Sequence, residues 1–172
     1  PDMVQGAEDA RVTVIEYASF TCPHCASFHA GPYKQLKKNY IDTGKVKFVF
    51  REVYFDKVGV WSSLIARCGG PERFFGIADL IFKDQKEWAR AGSDVAVTNE
   101  LRKIGRLAGL DGDTLENCLT DSDKITALVG WFKGNTARDK ISSTPSFLIN
   151  GQKYASMSYD ELAALIEEQL AK

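Results

Sequence analysis

The chain has 172 residues, 44% hydrophobic, 26% charged and 11% aromatic, which suits one compact core and is too apolar for disorder. Its 22 basic and 23 acidic residues leave a net charge of -1, so it lacks the electrostatic footprint of a nucleic-acid binder. No apolar run approaches the roughly 18 residues of a membrane-spanning helix, and four cysteines are too few for a small scaffold held together by disulfides. The sequence opens on Pro1 with no apolar leader behind it. The expectation is that a leader or preceding region has been removed or the chain trimmed, so the missing signal peptide does not argue for the cytosol.

The first strand expected is Val12–Ala18, β-branched and apolar on both faces, as in a strand covered on both sides. A helix pattern starts at the Cys22-Pro-His-Cys25 segment, with His29, Tyr33, Leu36 and Tyr40 at helical spacing and Gly44 at its end. Pro32 lies inside it and predicts a kink. Residues 45–50 form the next strand, with Val46, Phe48 and Phe50 on one face. From about Lys57 to Lys140 the pattern is helical. Trp61, Leu64, Ile65 and Cys68 form one stripe. Gly69-Gly70-Pro71 breaks that helix, and Phe74, Phe75, Ala78, Ile81 and Phe82 form the next buried face. A third stripe runs through Val97, Leu101, Ile104 and Ala108 to Gly109. Asp113 and Glu116 read as a capping pair ahead of Leu115, Cys118 and Leu119, and Ile125, Leu128, Val129 and Phe132 make a fifth stripe. Asn150-Gly151 between residues 145–149 and 152–155 is a hairpin signal. Ser158 to Glu161 is a capping box opening a last helix with Leu162, Leu165, Ile166 and Leu170 inside. The order suits a parallel βαβ unit, a helical block and an antiparallel hairpin, an α/β fold with a mixed sheet.

Chemistry concentrates at Cys22-Pro23-His24-Cys25, where a strand gives way to a helix. Unpaired N–H groups and the partial positive charge of a helix start favour a thiolate on Cys22, the reactive species. Pro23 suits the first turn, the His24 imidazole can add stabilisation, and Cys25 lies within disulfide reach and is the less exposed of the two. A Cys-x-x-Cys in a βαβ context reads as a redox dithiol. A plain structural disulfide remains open. So does half of a zinc site built on Cys22, Cys25 and His29, with His24, Cys68 or Cys118 as fourth ligand.

Glu16 to Cys25 resembles the active-site segment of the DsbA family of thiol oxidoreductases, and residues 143–151 resemble that family's cis-proline loop and following hairpin. The resemblance implies a thioredoxin-like fold with a mixed central sheet and an inserted all-helical domain. Residues 1–56 and 141–172 would form the thioredoxin-like domain and residues 57–140 the insertion. It further implies Cys22 as the nucleophile, Cys25 as the resolving thiol and His24 as the residue that stabilises the reduced thiolate. Pro145 would be the cis-proline facing the dithiol, and Thr144 would offer backbone groups to an extended substrate. An ordinary trans turn is the plain alternative. Many oxidants of the family carry Val where Thr144 stands, and Thr is found in isomerase and reductase relatives, which leaves the direction of transfer open.

Glu16 alternates with Val12 and Val14 and so shares their buried face, where a carboxylate is costly. The family's buried acid, which serves proton transfer to the resolving cysteine, stands at this position; a strand-edge glutamate reaching solvent is the alternative. His29 falls on an apolar stripe and reads as a packed, hydrogen-bonded core residue. Phe74, Phe75, Phe82, Trp61, Trp131 and Phe132 read as core, with a few available to line an apolar groove for unfolded substrates. Asp121, Asp123 and Lys124 read as solvated.

Cys68 and Cys118, 50 positions apart on buried helix faces, are expected to form a structural disulfide, with two separate buried thiols as the alternative. The function implied is introduction of disulfides into secreted or periplasmic proteins, with no bound cofactor and no metal. Partners would be reduced, unfolded polypeptides and a quinone-linked membrane protein of the DsbB type. The protein is expected to be a monomer in the periplasm or another oxidising compartment. An isomerase or reductase of the same superfamily is the second reading, and a non-catalytic zinc or peptide-binding module the third.

Overall fold

A computed structural model describes residues 2–172. Five strands form one sheet: β1 (Met3–Gln5), β2 (Val12–Ala18), β3 (Val46–Glu52), β4 (Ser146–Ile149) and β5 (Gln152–Tyr154), in the order β1-β3-β2-β4-β5. β2 and β3 run parallel, with Glu16 opposite Phe50. The other three pairings are antiparallel. This is the mixed sheet of the thioredoxin-like fold. The short edge strand β1 has no period-2 pattern long enough to read in sequence, and it was not expected.

The alternation in β2 puts Val12, Val14 and Glu16 on one fully buried face. Val46, Phe48 and Phe50 do the same in β3. The hairpin turn forms at Asn150 and Gly151, which take φ of 46° and 87°. Both central residues of such a turn need positive φ, which Asn and Gly tolerate best.

Between β2 and β3 lie α1 (Pro23–Ala30), α2 (Pro32–Leu36) and one π-helical turn (Lys37–Ile41). Pro32 does not kink a continuous helix. It starts a new one, because α1 ends at Ala30 and Gly31 intervenes with φ -125° and ψ -84°. A proline at the first helical position lacks only an N–H that would be unpaired anyway.

Six helices separate β3 from β4: α3 (Lys57–Arg67), α4 (Pro71–Lys83), α5 (Gln85–Ala89), α6 (Asp94–Leu107), α7 (Gly112–Leu119) and α8 (Ser122–Asp139). The stripes in α3, α4 and α6 are core. Phe74, Phe75, Ala78, Ile81, Phe82, Val97, Leu101 and Ile104 are buried. α5 carries no readable stripe, yet its Trp88 is fully buried and donates to the Ile81 carbonyl at 2.8 Å.

One expected cap is corrected, and one residue expected only to be solvated takes a capping role. Asp111, not the Asp113–Glu116 pair, caps α7, its Oδ1 accepting from Thr114 N at 2.8 Å. Asp121 is not merely solvated but caps α8 through Lys124 N. The stripe of α8 is shallower than expected. Only Leu128 is fully buried, while Ile125, Val129 and Phe132 pack with Trp61, Trp131, Leu64 and Tyr54 in a small second cluster. α9 (Tyr159–Leu170) closes the chain, with Ser158 Oγ accepting from Glu161 N and Leu162 and Ile166 buried.

Candidate active site

Cys22 is the residue capping the N-terminus of α1, with extended backbone angles of φ -85° and ψ 119°, and Pro23 is the first helical residue. Its carbonyl accepts the first helical bond, from Ala26 N at 3.1 Å. Cys22 is half-buried and Cys25 fully buried, and both are free thiols. The asymmetry follows from position, since the residue three along the first turn faces the sheet while the cap faces out.

The Thr144–Pro145 peptide bond is cis, and it brings the loop before β4 onto the dithiol. The Cys22 thiol donates to the Thr144 carbonyl at 3.5 Å. The Cys22 pKa is lowered from 9.0 to about 5. A hydrogen bond from Cys25 is the largest cause; the Thr144 side chain and the backbone N–H groups of Cys25 and His24 add to it, against desolvation. The Cys25 thiol is pushed far up, first by burial, then by its bond to Cys22 and the field of Glu16. One sulfur is thus biased toward the thiolate, the form that attacks and leaves readily, and the other is held as a thiol. His24 acts on Cys22 through its backbone N–H, while its side chain is exposed.

Glu16 is buried and Oε1 lies 2.7 Å from His29 Nε2. His29 is therefore a core histidine with a specific partner. The zinc arrangement is not assembled: His29 is turned to Glu16, and Cys68 and Cys118 are bonded to each other, S–S 2.02 Å. Among the described residues no group of three His, Cys, Asp or Glu side chains could hold a metal ion.

Gln85 was not anticipated. Its buried amide Nε2 donates to the carbonyls of Phe20 at 2.7 Å and Cys22 at 2.9 Å. A glutamine between two helical stripes gives no sequence signal that it reaches back 63 positions to the active-site turn. Beside Thr144, a hollow of about 140 Å³ is lined by Val53, Tyr54, Phe55, Phe132, Ile141 and Ser143 among others.

A family model described as thioredoxin matches residues 1–168, and the chain belongs to that family. Within it, the chain has the DsbA-type architecture. It superposes on the crystal structure of Wolbachia pipientis alpha-DsbA1 with a TM-score of 0.90, at 25% identity, covering 98% of this chain and 90% of that one. Oxidised BdbD from Bacillus subtilis matches with a TM-score of 0.84, at 26% identity, covering 99% and 94%. A Rickettsia bellii relative named as a protein-disulfide oxidoreductase is 37% identical over 98% of this chain and 64% of its own length. The chain spans between 60% and 64% of the length of the five Rickettsia relatives it matches.

Proposed function

We propose that the protein is a thiol:disulfide oxidoreductase acting on reduced polypeptides, with Cys22 as nucleophile and Cys25 as resolving thiol. One observation carries the reading: a half-buried cysteine at a helix start, its pKa lowered to about 5, lies against the cis Thr144–Pro145 loop and beside a buried thiol whose pKa is raised. In the oxidised protein, a substrate thiolate attacks Cys22 Sγ. The Cys22–Cys25 bond breaks and its electron pair leaves on Cys25, which takes a proton. The substrate's second thiolate then attacks its own sulfur in the mixed disulfide and expels Cys22 as a thiolate. Two electrons pass to the protein, and the product disulfide leaves.

Glu16, buried within electrostatic reach of Cys25, is the group suited to exchange that proton. Thr144 and Pro145 would receive the substrate backbone as an added strand, and the hollow lined by Tyr54, Phe55 and Phe132 would take an apolar side chain next to its cysteine. Residues 57–140 would serve as an inserted helical domain framing the site, and the Cys68–Cys118 disulfide would staple it. Stabilisation of the reduced Cys22 thiolate favours the oxidising direction. It also fits an extracytoplasmic compartment and reoxidation by a quinone-linked membrane partner of the DsbB type.

The test is oxidation of a reduced, unfolded dithiol substrate, with the potential of the Cys22–Cys25 pair measured against glutathione. A strongly oxidising potential and complete loss of turnover in Cys22→Ala are expected. Unchanged turnover in that variant would sink the assignment, and a potential near that of thioredoxin would reverse the direction.

A further inference from the structure

Glu16 and His29 form a closed pair. Their side chains are 0% and 2% exposed, joined by one contact of 2.7 Å. The wall around the imidazole is aromatic. Phe82 stacks on it at 4.4 Å, Tyr33 lies at 4.6 Å, and Phe28 and Phe50 close the edges at 5.5 and 5.7 Å. The titratable groups facing the pair are the Cys25 thiol from α1 and the Tyr33 phenol from α2. Both feel the Glu16 charge, and the phenol is itself given to Gln5. The side chains that β3 and α4 place against the imidazole, Phe50 and Phe82, are uncharged. Two atoms of the pair are buried without a partner, Glu16 Oε2 and His29 Nδ1.

Those two atoms decide where the protons sit. A proton on Nδ1 would be a buried donor with no acceptor, which costs its full desolvation. A bare Nδ1 leaves only a lone pair unmet, a smaller loss. The proton of a neutral imidazole therefore belongs on Nε2 and is donated to Oε1. The second carboxyl oxygen, which has no hydrogen-bond partner, is then the atom of the pair left to take up a proton.

We propose that His29 is a positioning residue for proton exchange at Cys25: its Nε2–H holds Oε1 of Glu16 and leaves Oε2 to carry the proton that Cys25 gains and loses. When the Cys22–Cys25 bond breaks under attack, the electron pair departs on Cys25 and the Oε2 proton is passed to that sulfur by way of one water, since Oε2 makes no direct hydrogen bond. Glu16 becomes a carboxylate that still accepts from Nε2–H. In the reverse direction, the Cys25 thiol returns its proton to Oε2 as its sulfur attacks the mixed disulfide at Cys22. The bond from His29 offsets the charge that appears on the buried carboxylate. The inference rests on the thiol:disulfide reading above and assigns it a residue that touches neither sulfur.

Two measurements test it. Nitrogen-15 chemical shifts of His29 report its tautomer whether or not the protein turns over; Nε2 protonated and Nδ1 bare is expected, and a protonated Nδ1 would overturn the assignment. The second is the rate at which Cys25 displaces glutathione from a Cys22–glutathione mixed disulfide, followed against pH. His29→Phe should slow this step by about tenfold or more at neutral pH and change its pH profile, since proton-transfer catalysis contributes on the order of 10² or more. His29→Gln, which keeps a side-chain N–H, should restore most of the rate. A folded His29→Phe with the wild-type profile, or a folded His29→Gln no faster than His29→Phe, refutes the role. Should His29→Phe fail to fold, the tautomer and a comparison of His29→Gln with the wild type decide, a lost wild-type profile in His29→Gln counting against it. A wild-type protein that exchanges no thiols overturns the proposed function, while the tautomer still judges the hydrogen bond.

Discussion

The depressed pKa of Cys22 makes the stability of the reduced protein depend on pH in a direction the oxidised protein cannot share. In the folded dithiol, Cys22 titrates at about 5, against 9.0 for an unperturbed thiol. Between those values the unfolded chain binds the proton and the native chain does not, so stability rises with pH. The contribution is complete above the unfolded value and is lost as pH falls through about 5. Two pH units above the folded value, at about pH 7, the linkage is worth up to roughly 2.7 kcal/mol. Cys22 is only half-buried, and solvent screening lowers this to about 2 kcal/mol. Cys25 adds nothing in this window, because burial holds it as a thiol in the native state. In the disulfide form neither sulfur titrates, so the oxidised protein serves as the control. Denaturant unfolding of both forms from about pH 5 to about pH 7 should therefore show the reduced form gaining about 2 kcal/mol relative to the oxidised form. Thr144→Val, which removes one of the groups lowering this pKa, should shrink the gain. A thiolate absorbance that titrates near the ordinary 9.0, or a stability gap flat across the range, would refute the reasoning.

Other perturbations follow from the same contacts. Cys68→Ala with Cys118→Ala opens a loop of sequence separation 50 and should cost about 4 kcal/mol by the chain-entropy relation, read as a fall in denaturation midpoint with the Cys22 thiolate titration unmoved. Gln85→Leu strips the carbonyls of Phe20 and Cys22 of their amide donor. It should cost about 1–3 kcal/mol and speed hydrogen exchange at the start of α1. Glu52→Ala leaves the buried Arg67 guanidinium without the carboxylate that accepts from it at 2.6 and 2.7 Å. A loss of roughly 3–5 kcal/mol is expected in calorimetry, and a loss below about 1 kcal/mol would mean the pair is far better hydrated than its burial implies.

What could be read from the sequence was whatever repeats or stands next to its partner. The alternation of Val12, Val14 and Glu16 is enough to put a carboxylate on a buried face, and the stripes of α3, α4 and α6 are enough to define three helices. Cys22 and Cys25 lie within one turn of helix, so their joint role is local. The Ser158 cap and the Asn150-Gly151 turn are local too. Elements set by tertiary context were not legible. β1 is three residues long and is defined by its pairing with β3. α5 has five residues, fixed by what Gln85 and Trp88 touch. Asp111 and Asp113 are equally plausible caps in sequence, and only the path of the backbone into α7 decides between them.

The partnership of Glu16 and His29 lies between these cases. Each residue is placed by its own periodicity, the first by a strand and the second by a helix stripe. Their meeting requires that α1 cross β2 at one particular angle, which no local pattern encodes. That crossing is fixed by the same turn that makes Cys22 a helix cap. A chain turning sharply from β2 into α1 cannot expose one sulfur at the helix start without burying the next turn of the helix against the strand it has just left. Cys25 and His29, one helical turn apart on α1, both lie on the side turned to the sheet, and Glu16 lies on the strand beneath them. The asymmetry of the two thiols and the burial of the acid–imidazole pair are thus two consequences of one strand-to-helix turn. Moving the cap by one residue would rotate α1 by about 100°, exchanging the exposed and buried positions and removing His29 from reach of Glu16.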